Sequence, residues 1–261
     1  MLTVSFSQLE AWLALFLWPF LRIAGLVATA PIFSHRSLPR EVKAGLCVAL
    51  TIIVSPTLPA LPDVPLLSWA GLGIIVEQVL IGVAIGTVMQ VVFAIVQAAG
   101  DFIGLQMGLA FASFFSADSG SNTMILARIL YILALMLFLA VDGHLLLVEV
   151  LAESFRLIPI AAFSLNADGF FAIASFAGLI FKLGLLLALP VLGILLIVNL
   201  SMGILNRAAP QFTVFSVGFP ISLTVGMLLM IVLMTRLQGA VTRLFEQGFD
   251  FLVRLLEQGF V

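Results

Sequence analysis

The residues of this chain that could do chemistry are few, and their spacing does not favour it. His35 and His144 are the only histidines. His144 follows Asp142 and Gly143, and an imidazole beside a carboxylate can in principle pass a proton. A histidine at the end of a span, satisfied by backbone groups, accounts for the same triplet more simply. The single cysteine, Cys47, sits in the apolar run 44–54, so no intrachain disulfide and no cysteine-based metal site can form; it reads as a small core residue. Metal-ligand spacings, a serine nucleophile elbow and a phosphate-cradling glycine loop are all missing from workable contexts. The sequence therefore assigns no catalytic, cofactor or metal residue, and an enzyme is not expected.

What the chain does carry is charge in apolar places. Arg22, Glu77, Arg128, Asp142 and Lys182 fall near the middles of long apolar runs, and Arg207 lies beside another. A charge inside a bilayer is costly and normally faces a partner group or water. Arg22, Glu77, Arg128, Lys182 and Arg207 are accordingly candidates for buried or inter-subunit charge pairs.

Residues 100–120, GDFIGLQMGLAFASFFSADSG, form the most informative segment. Gly104, Gly108, Ala110 and Ala112 alternate with large apolar residues, and the glycines lower helix stability and permit motion. Phe111, Phe114 and Phe115 stand at i, i+3 and i+4, one face of a helix. Three aromatics so placed, with Met107 before them, suit a hydrophobic constriction that gates a water-filled path by dewetting. On spacing alone, an ordinary core explains the same residues better. Gly104, Gly108 and Gly120 are the candidate hinges, and the polar stretch 116–123 must reach water or a polar cavity.

The elements that position these residues are helices in an apolar setting. Hydrophobic residues make up 63% of the 261 positions and charged residues 9%, with a mean hydropathy of +1.29. A soluble domain is roughly half apolar and a quarter charged, so this surface needs lipid or partner subunits to cover it. The formal charge of -2 excludes an electrostatic grip on nucleic acid. A span needs about 20 apolar residues, and runs of that order occupy 9–33, 44–61, 66–99, 124–151, 170–205 and 212–234. The runs 66–99 and 170–205 are long enough to tilt, bend, project beyond the bilayer or fold as hairpins, and Pro190 is a candidate kink. The apolar stretch 102–115 is too short to span and suits a re-entrant or cavity-lining segment. Basic residues place 34–43 and the Arg207 loop in the cytoplasm and the proline-rich loop 56–65 outside. The first apolar run lacks a basic leader and a cleavage site, so no removable signal peptide is expected. Gly82 and Gly86, one turn apart, let another helix approach closely, equally within the chain or between subunits. Gly100, Gly104 and Gly108 repeat the spacing more weakly.

Four strings resemble the FliR/SctT family of bacterial flagellar and type III secretion export-gate proteins: RIAGLVATAPIFSHRSLPREVKAGL (22–46), GDFIGLQMGLAFASFF (100–115), VDGHLLLVEVLAESF (141–155) and ILNRAAPQFTVFSVGFPISLTVG (204–226). They stand in family order across nearly the whole chain, and the flagellar branch is the closer. The resemblance implies a single all-α export-gate domain over 1–261, a polytopic membrane-type protein of long kinked helices and helical hairpins. It implies a closed hetero-oligomeric helical assembly with FliP-like and FliQ-like subunits and other export-apparatus proteins, in the bacterial inner membrane at the flagellar basal body. Unfolded flagellar proteins are the implied substrates and membrane lipid surrounds the assembly; no cofactor is implied. Residues 106–121 map onto the family's plug-like loop, with Met107, Phe111, Phe114 and Phe115 as gate candidates. Ala110 and Ser116–Ala117 depart from the family's frequent Ser and Asp-Pro. Helices of such an assembly are shielded largely by neighbouring subunits, so a count of spans need not hold within it, and the buried charges can pair across subunits or within one chain. The competing reading is a secondary transporter or channel subunit for a small solute, which calls for paired interrupted helices in two halves; that symmetry is not evident.

Overall fold

A computed structural model describes residues 6–35, 37–59, 61–62, 64–66, 68–109, 125–160, 166–209 and 217–259, and every described element is helical. The main helices are α1 (Phe6–Thr29), α2 (Arg40–Val54), α3 (Trp69–Gln106), α4 (Ile125–Ala140), α5 (Gly143–Leu157), α6 (Ala167–Ala177), α7 (Leu179–Ala208) and α8 (Phe219–Arg254), the last running on into a π-helical segment, Leu255–Gly259. The all-α, membrane-type class expected from the sequence is the class observed.

Local chemistry sets the boundaries. Pro39, extended at ψ 149°, precedes α2, and Ser55–Thr57 closes it in a 3-10 turn around Pro56. Ser68 caps α3, its hydroxyl oxygen accepting from the Gly71 N–H at 3.0 Å while donating to the Pro65 carbonyl at 2.6 Å, as short hydroxyl side chains do at helix starts. Between α4 and α5 the chain turns 68° at Asp142, which takes φ 56°; aspartate is among the few residues that tolerate that left-handed region. The Asp142 carbonyl then accepts from the N–H groups of Leu145 and Leu146, opening α5.

These boundaries revise the six expected spans. Among the described residues four helices are long and apolar enough to cross a membrane, five if the bent α4–α5 pair counts as one. The 15 residues of α2 rise only about 22 Å, short of a hydrocarbon core of about 30 Å, because prolines stand at both ends. The run 124–151 is two helices meeting at Asp142. Residues 102–106 of the expected re-entrant segment are the last turns of α3, while 110–115 lie outside the described residues. The helix α7 contains Pro190 and continues past it, and one turn residue, Gly178, separates α7 from α6.

The chain packs as two compact units, one of residues Met1–Val91, Asp142–Ala177 and Glu246–Val261, the other of Val92–Val141 and Gly178–Phe245. In the first, α1 lies directly on α3. A Cβ on Gly25 would sit 2.7 Å from the Val79 carbonyl oxygen, one on Gly82 would strike the Arg22 carbonyl, and one on Gly86 would strike the Thr29 hydroxyl. The small-residue pair of the sequence thus serves packing within the chain. In the second unit Phe93, Phe138 and Phe245 form an aromatic triangle with centroids 5.0–5.5 Å apart, edge-to-face in part as ring quadrupoles prefer. There Gly100 gives the same close approach, a Cβ on it meeting the Ala127 backbone at 2.5 Å. Cys47 is buried, and desolvation raises its thiol above the usual range, in keeping with a core role.

Replacing Gly82 with Val forces α1 and α3 apart and should destabilise the protein by about 2 kcal/mol or more. Gly45→Ala, in α2 where nothing lies within 4 Å of the added methyl, should instead stabilise by up to about 1 kcal/mol. Midpoints of thermal loss of the monodisperse species in detergent check both, and equal shifts would contradict this packing.

Candidate functional site

In the first unit two of the charges, Arg22 and Glu77, are buried and attract each other. Arg22, on α1, is fully buried, and its guanidinium is engaged on every nitrogen. Its Nε donates to Gln78 Oε1 at 2.8 Å, Nη1 to the Ser154 carbonyl at 2.8 Å and to Ser154 Oγ at 3.1 Å, and Nη2 to the Ile158 carbonyl at 2.9 Å. Ser154 and Ile158 lie at the end of α5, at the negative end of the helix dipole, and the Ser154 carbonyl also accepts from the Ile158 N–H at 2.9 Å. The Phe155 ring lies 4.2 Å beneath the guanidinium carbon, a cation–π contact. Glu77, 1% exposed on α3, supplies an attractive opposite charge. This arrangement fastens α1, α3 and α5 together.

In the second unit the end of α3 is held where the segment 106–121 begins. Gly108 takes φ 81°, its N–H donates to the Leu105 carbonyl, and the Leu109 N–H donates to the Gly104 carbonyl, both at 3.0 Å. That paired pattern, with glycine in the left-handed position, is a Schellman helix end. Two polar side chains reinforce it: Ser222 Oγ on α8 donates to Asn199 Oδ1 on α7 at 2.7 Å, and Asn199 Nδ2 donates to the Gln106 carbonyl at 3.4 Å. Met107, 1% exposed, lies against Gly226 of α8, where a Cβ would come within 2.6–2.7 Å of its side chain. A cavity of about 300 Å³ opens beside them, lined by Gln106, Met107, Gly108, Asn199, Phe219 and Ser222 among others.

Of the residues singled out in the sequence, Arg22 and Glu77 come together, and Met107 and Gly108 form the anchored end of α3 with Gly104 one turn earlier. Phe111, Phe114, Phe115 and Gly120 lie outside the described residues. Arg128 on α4, and Lys182 and Arg207 on α7, are exposed on the chain surface. Asp142 is exposed, His144 is half-buried, and His35 Nδ1 accepts from the Ser37 N–H at 3.2 Å. Among the described residues no group of three His, Cys, Asp or Glu side chains could hold a metal ion. The sequence reading passed over Gln78, Ser154, Asn199, Ser222 and Gly226. Asn199 had a usable signal, a carboxamide in the middle of an apolar helix; the others are unremarkable until the fold brings them into place.

Comparison with known proteins agrees with the four quoted strings. Residues 13–248 match the family described as bacterial export proteins, family 1. The flagellar biosynthetic protein FliR of Pectobacterium carotovorum subsp. carotovorum is 46% identical over 99% of this chain and 98% of its own length. The FliR of Escherichia coli (strain K12) has the same identity and coverage. That of Bacillus subtilis (strain 168) is 30% identical over 92% of this chain and 94% of its own.

Removing the Arg22 charge breaks a buried hydrogen-bond network and withdraws an attractive charge from Glu77, at a cost of about 3–5 kcal/mol. Arg22→Met should therefore strongly lower the yield and thermal midpoint of the purified protein. Adding Glu77→Gln should recover part of the loss; a double variant no better than the single one would show that the two charges are not coupled.

Proposed function

Because this chain belongs to bacterial export proteins family 1, on its flagellar FliR branch, it is a membrane subunit of the flagellar export apparatus, and we propose that it forms part of the protein-conducting channel and carries its plug. The plug is the segment 106–121, with Met107, Phe111, Phe114 and Phe115 closing the path and Gly104, Gly108 and Gly120 allowing it to move. The role is a gating one without catalysis of its own, exercised within a single export-gate domain. FliP-like and FliQ-like subunits complete the channel in the inner membrane at the basal body, and unfolded flagellar proteins pass through it.

The observation that carries this reading is the anchored root of the segment. A loop that must close a channel and yet yield to a substrate needs a fixed end against which to move. The Schellman turn at Gly108, the Ser222–Asn199–Gln106 hydrogen-bond chain and the seating of Met107 on Gly226 supply one. The large apolar surface that the chain leaves uncovered, including Phe181, Ile197 and Leu200 on α7, supports burial by neighbouring subunits and lipid.

The test is a chain with Phe111, Phe114 and Phe115 all changed to Ala. Native mass spectrometry should find it assembled with FliP-like and FliQ-like partners as the parent is, while the membrane of cells that carry it leaks ions and small molecules. Unchanged permeability in a correctly assembled variant would remove these aromatics from the gate.

A further inference from the structure

Within the first unit, α5 and the end of α8 enclose a groove of about 420 Å³ that the gating role does not use. Its walls are apolar, with Leu146, Val150, Val253 and Leu256 among the lining residues, and three carboxylates, Glu149, Glu153 and Glu257, stand along it. On α5 the lining positions 146, 149, 150, 153 and 157 follow one helical stripe. On α8 and its π-helical extension they are Phe249, Val253, Leu256 and Glu257, three of which fall in a repeat in which RLFEQGF (243–249) returns as RLLEQGF (254–260).

The chemistry of the groove selects its occupant. Leu146 and Val253 are 43% and 42% exposed, so apolar surface lies open between the two helices. Acyl chains are a poor cover, because three carboxylates against hydrocarbon are costly, and anionic headgroups would be repelled. With its extension α8 covers Phe219–Gln258, 40 residues or about 60 Å, twice a hydrocarbon core, so its charged end can stand clear of the bilayer. Residues 143–157 and 246–259 together hold five acidic residues (Glu149, Glu153, Glu246, Asp250, Glu257) against Arg156 and Arg254. Arg156 meets Glu153 at 3.3 Å, but the pair is exposed, at 75% and 46%, and such pairs are weak and readily exchanged.

We propose that this groove is the docking site for a basic amphipathic helix from another polypeptide, its apolar stripe seated between α5 and α8 and its Lys and Arg residues on Glu149, Glu153 and Glu257. Two facing helices that receive a third, with the apolar stripe giving affinity and the rim charges setting register, is a recurrent mode of peptide recognition. The site shares no residue with the segment 106–121 and does not depend on the gate reading.

The test uses the full chain in flagellated cells, with the photo-crosslinker benzoylphenylalanine in place of Val253 and mass spectrometric identification of the crosslinked peptide. The expected product is one segment with apolar residues at i, i+3 or i+4 and i+7, flanked by Lys or Arg. Glu149→Lys, Glu153→Lys and Glu257→Lys together should lower its yield roughly tenfold, the sum of three modest rim pairs, and exchanging the partner segment's cations for Glu should restore it. If the lysine variant fails to accumulate, the corresponding triple Gln variant, compared at equal chain level, must show a loss of yield. Crosslinks to a second copy of this chain, to lipid only, or to an acidic or uncharged segment would overturn the proposal, as would a yield indifferent to the groove's charge. Because leakage reads the plug and crosslinking reads the groove, failure of either leaves the other standing.

Discussion

The first unit depends on one side chain removed from water. A buried guanidinium is tolerated only where its fork of N–H groups finds acceptors and its charge finds a counterpart, and Arg22 obtains both from elements far apart in sequence. Its partners are Gln78 on α3 and the terminal carbonyls of α5 at Ser154 and Ile158. The same residue marks a close helix contact, since its backbone carbonyl lies where a side chain on Gly82 would have to be. The two features require each other. Without glycine at 82, α1 could not come close enough to bring the guanidinium to Gln78, and without the polar network nothing would offset the burial of the charge.

The second unit solves a related problem in neutral form. Where a helix ends away from water its carbonyls still need donors, and the end of α3 obtains them from its own glycine turn and from Asn199, itself held by Ser222. Of the four strings that resemble the export-gate family, two meet at Arg22 (22–46 with 141–155) and two at Met107 (100–115 with 204–226). They pair as the structure pairs their helices, which gives each string a physical reason to be more than generic apolar sequence.

Packing also separates the long helices by task. Of the most apolar 18-residue window in α3, 67% is buried within the chain, against 22% in the stretch 167–208 that contains α7. A helix apolar on all sides belongs inside protein or lipid; α3 fills the first place, and α7 turns its apolar surface outward. The end of α8 is different again, mixing apolar positions with Glu246, Asp250, Arg254 and Glu257.

The sequence by itself determined the class, because 63% apolar residues leave no means of covering a soluble surface, and because hydropathy, prolines and glycines are local properties that act wherever the chain goes. It also marked Arg22 and Glu77 as charges needing company, and Met107 and Gly108 as the start of a special segment, since a charge or a helix-breaking glycine in an apolar run is conspicuous without any coordinates. Only the tertiary structure decided which groups answer those needs. Gln78 and Ser154 are ordinary residues until a helix crossing places them 56 and 132 positions away from Arg22 in sequence yet within hydrogen-bond reach. Span count, too, waited on the fold, because hydropathy cannot see that Asp142 adopts a left-handed turn and breaks one apolar run into two helices. Partner choice is a matter of long-range geometry, and a pattern local in sequence can state the need for a partner without naming it.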